Sequence, residues 1–467
     1  MIGRYEHDGK TNFTCILSCQ YLLSILSNGK ISSMKTNKNL PKSEYKTDIT
    51  SGKRIAADLH PRSPLEDSHP QASLAHPHNW QQLAPPLLDW YAQNARSLPW
   101  RETKDPYRIW VSEIMLQQTR VEAVKGYYAR FMNELPDVAA LASCPEDRLL
   151  KLWEGLGYYS RARNLKKAAK QIMDSYDGKL PADHAALLKL PGIGPYTAGA
   201  IASIAFSLPV PAVDGNVLRV RARVFGDDGD IAEQSVKKTA EEELRAFMLT
   251  YFTCKQTQMN PGAFNQAMMD LGATVCLPNG TPDCNACPWQ SMCIAYQEER
   301  TIELPVKKKK APRRIEKRTV FLIMDGDRVV LRKRPAKGLL AGLYELPNVT
   351  GHLDEKEALT YVRSLSESSD VSKGIGTASD RFADNASVQN STENTGLQPL
   401  RIQKLEPAKH IFTHIEWHMT GYLIRVDSLT SESSGLLFAE QEDVKERYSI
   451  PSAFDAYIGH IKGSSIL

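Results

Sequence analysis

No apolar run in these 467 residues approaches the roughly 20 needed to carry a helix across a bilayer, so a membrane protein is not expected. Net charge is scarce as well. Lys and Arg number 58 against 54 Asp and Glu, and the resulting +4 permits nucleic-acid binding without calling for it. Most of the chain is also poor in cysteine: Cys15, Cys19, Cys144 and Cys254 are scattered and read as free thiols. The other four crowd into residues 276–293, which argues against a disulfide framework and for metal or cluster ligation in a reducing compartment. There is no internal repeat. What is present, 42% hydrophobic and 24% charged residues, is ordinary for a globular protein, and the length calls for two or three domains.

Composition changes several times along the chain. Residues 1–77, rich in Ser, Asn, Lys, His and Pro, read as a disordered N-terminal extension; a signal peptide would need a basic start and a small-residue cleavage site that are not clear here, and Met34 offers a downstream start. Residues 78–300 carry amphipathic helical stretches such as Leu87–Asn94, Ile109–Leu135 and Ala185–Leu190, punctuated by Pro and Gly. Residues 301–318 form a basic linker; from Val306 to Arg318 it holds eight Lys or Arg against one Glu. Beyond it, apolar runs at Thr319–Met324 and Arg328–Leu331 flank Asp325-Gly326-Asp327, a β-hairpin signal, and Tyr422–Val426 reads as another strand. Within this second domain, residues 364–396 have few large apolar side chains and read as a flexible insertion.

Two local motifs carry chemistry. In Leu190-Pro191-Gly192-Ile193-Gly194-Pro195-Tyr196-Thr197-Ala198, flanked by helical pattern, Gly192 and Gly194 permit positive φ and close backbone approach, and Pro195 suits a first helical position. The pattern looks like a helix-hairpin-helix that offers N–H groups to a DNA phosphate, although a Gly-x-Gly between helices is also a plain tight turn. The second motif is Cys276-x₇-Cys284-x₂-Cys287-x₅-Cys293. Four thiolates suit zinc or a 4Fe-4S cluster, and one short pair flanked by wider gaps fits the cubane better.

Together with Leu98-Pro99-Trp100-Arg101, Trp110 to Thr119, Gly155-Leu156-Gly157-Tyr158-Tyr159-Ser160-Arg161 and Val213-Asp214-Gly215-Asn216-Val217, these motifs resemble the MutY-type adenine DNA glycosylases over roughly residues 80–467. The resemblance implies an all-α helix-hairpin-helix glycosylase domain in two lobes, with a 4Fe-4S loop, plus a C-terminal α/β Nudix-like domain. It implies removal of adenine mispaired with 8-oxoguanine or guanine in double-stranded DNA by a monomeric enzyme, placed in the bacterial cytoplasm. Cys276, Cys284, Cys287 and Cys293 would ligate the cluster. The family's first cysteine gap is usually one residue shorter, so the loop Leu277–Asp283 must bulge.

The same resemblance assigns Glu113 as general acid and Asp214 as the carboxylate that stabilises or traps the sugar cation. The chemistry calls for such a pair, because the base must leave protonated while positive charge builds on the sugar. The apolar neighbours of Glu113 could raise its pKa by desolvation. Read without the family, Glu113 could be a solvated helix-face residue, and Asp214 the cap of a helix beginning near Asn216. Asn216 joins the catalytic set. Gln117, Gln118 and Tyr158 match DNA-contacting positions, with Gln118 and Tyr158 wedging into the base stack. Tyr196 stands where lyase-active relatives carry a Schiff-base lysine, which implies a monofunctional enzyme.

The C-terminal domain has no Arg-Glu-x-x-Glu-Glu run around Gly338–Leu365, so nucleotide hydrolysis is not expected. Phe412-Thr413-His414 matches the loop that meets the oxidised guanine, which points to Thr413 and His414. His410, His414 and His418 recur every fourth residue, but no carboxylate or cysteine completes a familiar metal site. Two rivals remain in view: a glycosylase and lyase acting on oxidised pyrimidines, opposed by Tyr196, and a catalytically silent DNA-binding protein, opposed by the paired carboxylates.

Overall fold

The computed structural model describes residues 79–254, 260–308, 311–365, 397–429 and 436–462. The expected extension 1–77 and nearly all of the insertion 364–396 lie outside the described residues. Helices occupy the first domain: α1 (Trp80–Asn94), α2 (Pro106–Leu116), α3 (Val121–Glu134), α4 (Val138–Ser143), α5 (Glu146–Leu152), α6 (Ser160–Ser175), α7 (His184–Leu187), α8 (Pro195–Ile204), α9 (Gly215–Phe225), α10 (Gln234–Cys254), α11 (Pro261–Thr274) and α12 (Ile294–Gln297). Their starts follow capping chemistry. Asp105 caps α2 by accepting from the Tyr107 N–H, Asn260 caps α11 by accepting from Ala263, and a proline sits at the first helical position of each.

The stretch Ile109–Leu135, expected to be continuously helical, is two helices. α2 stops at Leu116, and Gln118 takes φ 58° before α3 begins at Val121. Apolar periodicity runs through this break because both helices bury residues in one core. That core unites α2 through α8. A second core joins α1 to α9, α10, α11 and the cysteine loop, with Trp289 fully buried and its indole N–H donating to the Leu83 carbonyl at 2.8 Å. Asn265 of α11 ties the lobes by donating to Ser203 Oγ and the Val210 carbonyl and accepting from the Ala212 N–H.

The second domain is a seven-stranded sheet: β1 (Arg314–Asp325), β2 (Arg328–Lys333), β3 (Tyr344–Glu345), β4 (Asn348–Thr350), β5 (Pro399–Ile411), β6 (Ile415–Val426) and β7 (Leu436–Glu440). Its path is β3-β2-β1-β6-β5, with β1 and β6 parallel, β4 on β1 and β7 on β2. The expected hairpin closes through Gly326 and Asp327, where Asp325 pairs with Arg328 and Gly326 has φ 53°. Alternation along β1 sends Phe321 and Ile323 to one face, under α13 (Glu355–Ser364), and Val320, Leu322 and Met324 to the other. On that other face lie α14 (Gln441–Glu446) and α15 (Asp455–Lys462), with Phe454 and Tyr457 in the core. The linker is shorter than its charge suggested. Residues 314–318 are strand, because their backbone pairs with residues 415–419 of β6 whatever their side chains carry.

Among the described residues no helix is long and apolar enough to cross a membrane. Close backbone packing holds α8 against the segment before α9: a Cβ on Gly199 would stand 2.1 Å from the Pro211 carbonyl oxygen. Gly199→Ala therefore forces a backbone shift and is expected to lower stability by about 1 to 3 kcal/mol, read as a lower thermal midpoint than wild type. An unchanged midpoint would contradict this packing.

Candidate active site

A cavity of about 200 Å³ opens where the two lobes meet, and Arg101, Glu113, Tyr196, Asp214, Asn216 and Met269 are among the residues lining it. Glu113 comes from the third turn of α2, on the face packed into the first lobe, and is 6% exposed. The reading of Glu113 as a solvated helix-face residue therefore fails. Its carboxylate accepts from the Tyr196 hydroxyl at 2.7 Å. Burial pushes its pKa up to about 7, against the lowering effects of the Tyr196 hydrogen bond and Arg101, while Asp214 adds to the rise.

Asp214 is both a helix cap and a cavity residue. Its carboxylate accepts from the Asn216 and Val217 N–H groups at 2.9 and 2.8 Å and from Asn216 Nδ2 at 2.7 Å. Burial raises its pKa, and these three donors oppose the rise by stabilising the charge. Asn216 in turn accepts from Arg219 Nη2 at 2.9 Å, and Arg219 donates to the carbonyls of Gly272 and Cys276. Arg223, one turn on, donates to Cys276 Sγ at 3.2 Å and to the Leu277 carbonyl. One helix thus carries the cavity carboxylate at its start and grips the cysteine loop with Arg219 and Arg223.

Cys276, Cys284, Cys287 and Cys293 line one pocket with apolar walls that include Val220, Val224, Leu271 and Trp289. Burial pushes Cys287 up to about 12 and Cys293 up to about 11, so neither thiol ionises near neutrality without a ligand to hold the thiolate. Among the described residues no three His, Cys, Asp or Glu side chains are arranged to hold a single metal ion. The loop 277–283 projects into solvent. The Asp283 N–H closes it onto the Val275 carbonyl at 3.0 Å, residues 278–281 are exposed, and Gly280 turns the tip at φ 74°.

The hairpin motif precedes α8. Gly192 has φ 79°, but Gly194, expected to share that freedom, is extended at φ −90° and has no atom within 4 Å of a built Cβ. Its glycine is not demanded by strain. α8 has no side-chain cap, and Pro195 has no N–H, so the N–H groups of Tyr196 and Thr197 have no acceptor within the helix. Gly192, Gly194 and Pro195 are exposed.

Gln118 and Tyr158 also lie on the surface, and both hold positive φ, 58° and 47°. Arg161, 9% exposed, joins their loops: Nη1 donates to the Ile114 and Gln117 carbonyls at 2.7 and 2.6 Å, and Nη2 to Leu156 and Gly157 at 2.9 and 3.1 Å. Gln117 itself donates to Thr197 Oγ1 at 3.3 Å. Thr413 and His414 are exposed at the tip of the β5–β6 hairpin, and Thr413 Oγ1 lies 3.0 Å from the Tyr158 hydroxyl. His418 is paired with Glu416 at 2.8 Å.

Sequence reasoning missed Asp270, fully buried and bound by Arg96 and Arg101. These two arginines hold its carboxyl below the ordinary range although burial alone would raise it. Arg101 and Arg161 stood inside quoted motifs, and nothing local marked them as a cavity wall and a loop tie.

Residues 111–246 match the family model of the HhH-GPD superfamily base excision DNA repair proteins, and residues 319–460 that of the NUDIX domain. The chain is 38% identical over 264 residues to an adenine DNA glycosylase of Buchnera aphidicola subsp. Schizaphis graminum, covering 56% of this chain and 73% of that protein. It is 33% identical over 400 residues to one of Mus musculus, covering 74% and 71%. Among solved structures it is similar to a thermostable thymine-DNA glycosylase, at 28% identity and a TM-score of 0.41, covering 47% of this chain and 96% of that one.

The geometry fixes how Glu113 titrates. A carboxylate that loses a hydrogen-bond donor holds its proton more tightly, so Tyr196→Phe is expected to move the Glu113 midpoint upward from about 7. Carboxyl-carbon NMR against pH checks this; a downward or absent shift contradicts the contact. The wild-type protein should also lose stability between pH 4.5 and 7 on account of this group, since only the folded chain keeps its proton there.

Proposed function

The chain belongs to the adenine DNA glycosylases, enzymes of base excision repair, and on that premise we propose that it removes adenine mispaired with 8-oxoguanine or guanine in double-stranded DNA, by hydrolysis without lyase chemistry. One observation carries the reading. A buried glutamate, its pKa raised to about 7, shares a cavity at the seam of the lobes with a half-buried aspartate held by three donors.

Glu113 gives its proton to the departing base, so that adenine leaves neutral. Asp214 keeps its charge through the N–H groups of Asn216 and Val217 and faces the cationic sugar, which it stabilises or traps until water completes the hydrolysis. Asn216 orients that carboxylate, and Tyr196 orients the acid. Among the described residues that line the cavity there is no lysine, which supports base loss without an enzyme amine and leaves the oxidised-pyrimidine lyase reading without a residue.

The uncapped start of α8, with Gly192 and Gly194 beside it, suits a backbone phosphate. Gln117, Gln118 and Tyr158 sit on loops joined through Arg161, an arrangement suited to filling the gap left by a flipped base. Thr413 and His414 are the residues for the oxidised partner. One chain carries all of these parts, which supports action as a monomer.

The four cysteines fit a 4Fe-4S cluster. They are the donor set such a group takes, in one pocket with apolar walls, and Arg223 donates to one of the sulfurs. When bound, the cluster would cross-link residues 276–293 into one rigid loop. Arg219 and Arg223 then hold that loop against α9 and keep Asp214 in register with it.

Glu113→Gln is expected to bind a mismatch duplex and release no adenine, because an amide keeps the shape and donates no acidic proton. Single-turnover assays with adenine opposite 8-oxoguanine, worked up with and without alkali, test both claims. Wild-type rates in the variant refute the acid, and strand cleavage by wild type without alkali refutes the hydrolytic reading. Purified protein should be brown and contain about four irons per chain; stoichiometric zinc without iron in anaerobically prepared protein would refute the cluster.

A further inference from the structure

The second domain does not hang from the linker alone. It is docked on α5 and the residues after it. Lys151, with a side chain only 13% exposed, donates through Nζ to the carbonyls of Val444 and Tyr448 at 3.3 and 3.1 Å and pairs with Glu154 at 2.6 Å. The other oxygen of Glu154 accepts from the Ile450 N–H at 2.8 Å, and Ser449 Oγ donates to the Leu150 carbonyl. Two charged side chains of the helical domain thus bind the backbone of one short segment, residues 444–450, at the end of α14. An ammonium beside carbonyls at a helix C-terminus, with its carboxylate partner bound to the next free N–H, is a charge-assisted and directional contact.

That segment is also part of the core that supports the lesion hairpin. Val444 and Ile450 are buried in one cluster with Phe454 and Trp417, and Phe412 packs against it. Trp417 meets Phe454 at 6.0 Å and Phe412 at 4.9 Å, ring centre to ring centre. Phe412 immediately precedes Thr413. The Tyr158 to Thr413 contact at 3.0 Å is a single exposed hydroxyl pair and cannot by itself set the position of a domain. The dock reaches the hairpin through packed aromatic side chains, which transmit displacement because close-packed cores resist deformation.

We propose that Lys151 and Glu154 are positioning residues for partner-base specificity: they hold the second domain in the register that places Thr413 over Tyr158, and so decide how well the enzyme separates 8-oxoguanine from guanine opposite adenine. The inference rests on the reading of the Phe412–His414 hairpin as the part that meets the oxidised base. Neither residue lines the cavity. Losing the dock should therefore leave base removal itself intact.

The test compares single-turnover adenine removal from duplexes with 8-oxoguanine and with guanine opposite adenine, using full-length protein. In Lys151→Met/Glu154→Gln the preference for the oxidised partner is expected to fall about tenfold, the loss of one or two good hydrogen bonds to the lesion, with the rate on the guanine duplex unchanged. Lys151→Arg, which can still donate to both carbonyls, should restore the preference. Thr413→Val with His414→Ala should lower it by itself, and adding the dock substitutions should lower it no further. Full preference in the dock variant, beside a loss in the hairpin variant, overturns the positioning role alone. A dock variant equally slowed on both duplexes overturns it too, since that is the mark of general destabilisation. Full preference in the hairpin variant overturns the reading of the hairpin on which the inference rests.

Discussion

Everything in the helical domain is arranged around keeping one carboxyl group out of water. Glu113 is 6% exposed, and its desolvation pushes its pKa up to about 7, so it can hold a proton close to neutrality. A buried carboxyl is tolerated when its oxygens have partners, and Tyr196, reaching across from α8, supplies one. The two helices must then meet at a fixed distance. The close approach at Gly199 holds the far side of α8 to the segment that leads into Asp214.

The second consequence lies in α9. A helix start needs N–H partners, and Asp214 satisfies two of them while its carboxylate faces the cavity, so the structural and chemical demands on that residue coincide. Arg219 and Arg223 follow at four-residue spacing, and their donors reach the carbonyls of the cysteine loop. A disturbance of the loop is therefore felt at the helix that presents the carboxylate. This gives the cysteine-rich segment a mechanical bearing on the site without any part in the bond broken there.

The sheet domain brings a different kind of constraint. Its parallel β1–β6 pair sets the sheet, and the β5–β6 hairpin brings Thr413 to Tyr158. The contact surface on α5 is polar and directional, while Leu343 is buried in the helical core across the boundary. Specific backbone hydrogen bonds fix orientation, and the buried leucine adds apolar area that is indifferent to it.

The amino-acid sequence by itself determined the parts whose signals are local. Apolar periodicity marked the helices, the Asp325-Gly326-Asp327 turn marked the first hairpin, and the crowding of Cys276 to Cys293 marked the segment whose four cysteines line one pocket. The paired carboxylates were legible through family motifs and only weakly through their neighbours. Tertiary structure alone decided the break at Gln117–Arg120, since the core continues on both sides of it and the periodicity carries no gap. It decided that the charged residues 314–318 are strand, because parallel pairing with β6 satisfies backbone groups whatever the side chains are. It also decided that Gly194 is extended, that Arg161 joins two surface loops, and that Asp270 is an ion-paired buried residue. For residues 314–318, Arg161 and Asp270 a deciding partner lies tens to hundreds of residues away in the chain. Local propensity and period report on neighbours within a turn or two, whereas the burial of a charge depends on which distant acceptors the fold brings to it.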